Sequence, residues 1–136
     1  MQQLKRSECA ILPLVLKKKW YDLIASGEKE EEYRDAKPFW NKRINKWLSN
    51  QSGSWDDLAK NKKLVIGFSC GYKKPDMFFL AHRTVLEEYS THPEWGEPES
   101  EHWILGLREQ VEIVEDEETA RPNRPLGPKP ETSNQS

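Results

Sequence analysis

The densest chemistry in this sequence lies in eight consecutive residues, Gly27-Glu28-Lys29-Glu30-Glu31-Glu32-Tyr33-Arg34. Gly27 lets a helix end turn sharply into a strand. Lys29 then projects at the turn as a compact cation with a tunable pKa. Glu32 and Arg34 stand two apart, so on a strand they share a face and can pair. An arginine held this way beside a pocket binds a phosphate, carboxylate or base edge through its planar fork. A surface strand carrying one salt bridge uses the same residues equally well. Lys29 and Glu32 have opposite parity on a regular strand, so their convergence requires Lys29 to precede the strand or to sit on a bulge.

Basic residues flank this segment. Lys17, Lys18 and Lys19 open a helix, where cations oppose the macrodipole but would meet a bound anion together with the free N–H groups. Lys37, Lys42, Arg43 and Lys46, with Lys60, Lys62 and Lys63, lie near Phe39, Trp40 and Trp55. Cations interleaved with aromatics suit single-stranded nucleic acid, with phosphates on the cations and bases on the rings. Trp40 and Trp47 fall on an apolar helix face and read as core; Trp55 is free to stack. His82, His92 and His102 are not at metal-ligand spacing and no cysteine accompanies them, so no metal is expected. No Ser-centred nucleophile elbow, P-loop or dinucleotide fingerprint occurs, and no cofactor is expected. Glu97, Glu99 and Glu101 beside Trp95 read as an acid or base supply, or as a solvated loop.

The elements that must position these groups follow from periodicity. Residues 1–8 read as a loose leader and 10–16 as a short apolar strand. Trp20, Leu23 and Ile24 at i, i+3 and i+4 predict a helix from Lys17 to Ala25, stopped by Ser26-Gly27. Glu30–Arg34 alternates like a strand, although consecutive glutamates are poor strand formers; a broken local rule marks a functional or strained segment. Pro38 opens a second helix over 37–48, with Trp40, Ile44, Trp47 and Leu48 on one face. Residues 49–63 read as a loop with a helical turn near Trp55–Lys60. Strands are predicted over 64–69, 77–86 and 102–114, the last bending at Gly106, and a Pro/Gly-rich loop over 89–100.

Composition bounds the rest. The chain has 136 residues, 21 Lys+Arg against 23 Asp+Glu, and a net charge of −2. One domain is the default at this length. Residues 1–74 carry 16 basic and 9 acidic groups, net +7, and residues 75–136 carry 5 and 14, net −9. That asymmetry fits one anion-facing surface, as well as two solvated halves that meet in the fold. Residues 115–136 hold only Ala120 and Leu126 as apolar residues, so they read as a disordered acidic, Pro-rich tail. Six Trp, four Tyr and four Phe supply a core for the remainder. No apolar run is long enough to span a bilayer, and no membrane partner is expected. Two cysteines outside any framework point to a reduced cytoplasm.

Gly27, Lys29, Glu32 and Arg34 match Gly-x-Lys-x-x-Glu-x-Arg, and with their surroundings the sequence resembles the ASCH domain family of the PUA-like superfamily. Ile11–Leu16 and Lys17–Gly27 resemble that family's lead-in, and Tyr33-Arg34-Asp35-Ala36-Lys37-Pro38-Phe39-Trp40 its continuation. Phe68–Tyr72, Glu94–Pro98 and the strand His102–Leu107 also fit, so the resemblance spans roughly residues 10–114. It implies an α+β fold, a small PUA-like β-barrel flanked by short helices, with a cleft where the signature residues gather. It implies RNA or a modified nucleoside as ligand. It also implies two possible activities. One is hydrolysis of N4-acetylcytidine, whose members resemble Gly-x-Lys-Thr-x-x-x-Arg; Glu30 here replaces the Thr. A carboxylate does not replace a hydroxyl nucleophile but can serve as a base on water. The other is RNA cleavage, with Lys29 and Glu32 catalytic.

The sequence therefore predicts an ASCH/PUA-like domain over 8–114 and a tail over 115–136. RNA would bind through Lys29, Glu32 and Arg34, with Lys17, Lys18, Lys19, Lys42, Arg43 and Lys46 extending the footprint. The alternatives are an enzyme acting on acylated nucleosides or RNA, and a protein-interaction module that uses the acidic tail.

Overall fold

The computed structural model describes residues 1–51 and 61–116. Its elements are β1 (Gln2–Lys5), β2 (Cys9–Leu16), α1 (Lys18–Ala25), β3 (Glu31–Asp35), α2 (Pro38–Leu48), β4 (Lys63–Cys70), β5 (Met77–Glu87) and β6 (His102–Val114). The architecture is α+β. The six strands form one mixed sheet, five of them in the order β1-β6-β5-β4-β2 and the sixth, β3, paired with β6. β1 runs parallel to β6 and β2 parallel to β4; the other pairings are antiparallel.

Strand β6 organises the sheet because it is long enough to serve three partners. β5 runs along one side of it. On the other side β3 pairs with 102–106 and β1 with 111–114. Residues 1–8 are therefore not a loose leader. Leu4 is buried opposite Ile113, and its neighbours Val65 and Val111 form a small second core. The register of β5 slips against β6, since Ala81 faces Leu107 and Thr84 faces Leu105. The bulge lies beside Gly106, where a Cβ would come 3.2 Å from the Arg83 side chain and 3.3 Å from its carbonyl oxygen.

The main core lies between the sheet and the two helices. Leu12, Leu14 and Leu16 of β2 alternate inward while Pro13 and Val15 point out. β4 is buried from Val65 to Ser69 on both faces, which explains its unbroken apolar run. α1 contributes Ile24; α2 contributes Ile44 and Trp47. Each such buried aliphatic side chain stabilises the fold by about 1.5–3 kcal/mol.

The sheet does not close into a barrel, contrary to the sequence expectation. Two of its edge strands, β2 and β3, nevertheless face each other: Arg34 Nη2 on β3 donates to the Val15 carbonyl on β2 at 3.1 Å. A side chain, not a ladder, spans this gap. Two features of β2 explain why. Pro13 removes a donor in mid-strand, and the Ala10 carbonyl is already taken by Trp47 Nε1 at 2.8 Å. With only five residues, β3 has little to offer in return.

Two expectations need adjustment at the ends of this region. Glu115 and Asp116 are fixed, Glu115 to Arg6 at 3.0 Å and Asp116 to the Ser7 N–H at 3.0 Å and to its hydroxyl. The anticipated tail thus begins docked against the turn after β1, and its remainder, 117–136, lies outside the described residues. So do Trp55, Lys60 and the helical turn expected around them. No helix among the described residues is long and apolar enough to cross a membrane. Cys9 and Cys70 are both free thiols.

Candidate functional site

The signature segment begins with a helix end. Gly27 adopts φ 85°, Gly27 N–H donates to the Ile24 carbonyl and Glu28 N–H to the Leu23 carbonyl, which together form a Schellman motif. Lys29 follows before β3 starts at Glu31. This resolves the parity conflict, because a pre-strand position frees the Lys29 side chain to turn back toward Glu32.

Lys29 is buried to 1% exposure. Its Nζ donates to the Glu31 carbonyl and, at 2.8 Å, to Glu32 Oε1. It also lies 4.6 Å from the centre of the Tyr33 ring. All three ammonium directions are thus occupied. Burial pushes the Lys29 ammonium down, against the opposing pull of Glu32. Lys29 is therefore enclosed by protein groups, where the sequence expected it to face phosphate or base edges. It fixes Glu32, and Glu32 Oε2 in turn accepts from Arg34 Nη1.

Arg34 is where this chain of charges meets solvent. Its side chain is 16% exposed against 7% for Glu32 and 0% for Lys29. Three donors are used, two from Nη1 to Glu32 and the Tyr33 carbonyl and one from Nη2 to Val15. The remaining two of the five guanidinium donors find no protein acceptor among the described residues. The guanidinium carbon stacks 5.0 Å from the Trp40 ring.

The β2–β3 gap opens as a cavity of about 350 Å³. Glu32, Tyr33, Arg34 and Asp35 supply its polar groups, Trp20, Trp40 and Trp95 its aromatic walls, and Lys17 its rim. Gly96 is required here: its φ is 82° and a Cβ would lie 2.8 Å from Trp20 Cζ2. The loop bearing Trp95 and Gly96 is anchored from below. Glu97 Oε1 accepts from the Thr91 and His92 N–H groups at 2.8 Å each, and Oε2 lies 2.7 Å from His102 Nε2. His102 Nδ1 sits 2.6 Å from the Ser100 carbonyl, so Nδ1 is the donor and one more proton is shared with Glu97. Burial pushes the Glu97 carboxyl up, but the bonds from His102, His92 and Thr91 outweigh it and hold it below its ordinary range. Tyr33 packs edge-on against His102 at 5.8 Å, joining the two polar clusters.

The other sequence candidates divide. Lys17, Lys18 and Arg43 join Arg34 around a broader groove of about 950 Å³. Lys42 and Lys46 line a neighbouring hollow beside β2, with Lys62 and again Arg43. The Lys19 ammonium lies 4.6 Å over the Trp20 ring and lines neither the cavity nor the groove. Glu30, the residue at the hydrolase Thr position, is exposed. Sequence reasoning missed the Glu97–His102 pair, since five residues of separation in a Pro-rich stretch carry no periodic signal. Among the described residues, no group of three or more His, Cys, Asp or Glu is placed to hold a metal. No protein-family model matches this chain, and neither does a curated protein or a solved structure.

Proposed function

We propose that this chain is an RNA-binding protein of the ASCH, PUA-like type, which takes a base of RNA or a modified nucleotide into the β2–β3 cleft. One observation carries the reading. A buried series of charges, Lys29 to Glu32 to Arg34, ends in a guanidinium with two donors to spare at the mouth of a tryptophan-walled cavity. The tryptophans supply aromatic surface against which a base can pack. Arg34 offers a planar fork for a base edge or phosphate. Glu32 holds that fork in place, and its remaining lone pairs can accept from a base amino group.

Binding is favoured over hydrolysis or RNA cleavage by the position of Lys29. A catalytic lysine must touch the reacting atoms, and this one is enclosed by Glu31, Glu32 and Tyr33. Its role is positioning.

Fluorescence anisotropy with labelled single-stranded RNA tests the proposal. Arg34→Ala should weaken binding at least about tenfold, the lower part of the range for a bidentate base contact. RNA binding that is absent from the intact chain, or equal in Arg34→Ala, would discard it.

A further inference from the structure

We infer that the cleft is one end of a longer track, and that the preferred ligand is a single-stranded oligonucleotide rather than a free nucleoside or mononucleotide. The inference rests on the cleft reading above. The cavity and the broader groove share Val15, Leu16, Lys17, Arg34 and Trp40, so they form one continuous depression along the outer edge of β2. A single base occupies the first part; something else must account for the second.

The second part has the composition of a strand path. Phe39 is 62% exposed and Tyr72 is 98% exposed, two large rings in water on the same rim. The Arg43 guanidinium already stacks 5.4 Å from Phe39 and 5.7 Å from Trp40. Lys17 and Lys18 add charge, Lys18 sharing its ammonium with Asp22 at 2.6 Å. Cations alternating with open aromatic faces match a polyanion whose repeating unit also carries a π-surface. A peptide strand adding to β2 does not fit: Pro13 lacks an N–H, and the Ala10 and Val15 carbonyls are capped by Trp47 and Arg34. An acidic peptide would use the cations but leave Phe39 and Tyr72 unexplained.

The test is a length series on the full chain: labelled mononucleotide, dinucleotide, tetramer and octamer of single-stranded RNA, with poly-glutamate as competitor. Affinity should rise with length. In Phe39→Ala/Tyr72→Ala the ratio of octamer to mononucleotide affinity should fall about tenfold or more. In Lys17→Ala/Arg43→Ala the slope of log affinity against log salt for the octamer should shrink by about 1.4, from two lost phosphate contacts on a single strand. These side chains are exposed, so the fold should survive both changes; circular dichroism checks it. Equal affinity for octamer and mononucleotide, octamer binding untouched by either pair, or equal competition by poly-glutamate would overturn the track and leave the cleft standing. Length-dependent binding lost in the groove variants but unaffected by Trp95→Ala would overturn the cleft reading instead. No binding by any RNA would overturn both.

Discussion

Two buried ionic clusters lie side by side under Tyr33, and they differ in how they end. Glu97 and His102 form a closed unit: both carboxylate oxygens and both ring nitrogens find partners within the protein, and the side chains of the pair are 0% exposed. Lys29, Glu32 and Arg34 form an open one, dry at the lysine and partly wet at the arginine. A closed cluster can only hold structure, and this one holds the loop that carries Trp95 and Gly96. An open cluster can hold a group in position for something else. The difference separates support from recognition without appeal to residue type, since each cluster contains a carboxylate and a cationic or potentially cationic partner.

The sharpest way to break the comparison is to remove the middle of the open cluster. Glu32→Ala leaves the Lys29 ammonium buried without its counter-ion and should cost about 3–5 kcal/mol. Lys29→Met leaves Glu32 still paired with Arg34 and should cost less, about 1–3 kcal/mol. Urea denaturation of the two variants measures both; an equal loss would mean that Glu32 is not the hub. Next comes the wall that the closed cluster supports. Gly96→Ala forces a side chain into a left-handed backbone and against Trp20, for about 1–2 kcal/mol. It should also weaken RNA binding, whereas a loss of stability alone would detach the wall from the cleft. The smallest effect is a pH dependence. Because the folded Glu97 carboxyl titrates below its ordinary range, its contribution is complete above that range and is lost as the pH falls below it, through the folded value. Denaturation midpoints between about pH 7 and pH 3 should fall more steeply on the acid side in the parent than in Glu97→Gln. Parallel curves would show that the pair carries no linkage.

Much of this was legible in the chain, and the reasons are local. The α2 face of Trp40, Ile44, Trp47 and Leu48 follows from a 3.6-residue period, and all four pack toward the core. β6 spans 102–114 as expected because the apolar run Trp103–Leu107 and the Val111–Val114 end are joined without a proline. Gly27 is a helix stop by its own conformational freedom. β1 was not legible: Gln2-Gln3-Leu4-Lys5 is polar, and it is a strand only because the far half of β6 leaves an edge for it. Glu97 beside Trp95 looked no different from Glu99 and Glu101, yet only Glu97 meets a buried histidine.

By itself, the amino-acid order determined which residues are close along the chain. The pairing of Glu32 with Arg34, the turn at Gly27 and the amphipathic helices all act over five residues or fewer, where backbone geometry leaves few choices. Only the tertiary structure decided which of those groups meet water. The curl of the sheet brings β2 to β3 from opposite ends of its strand order without joining them, because Pro13 and the capped carbonyls of β2 leave no ladder to form. That unfilled seam exposes Arg34 and turns three tryptophans distant in sequence into the walls of one cavity.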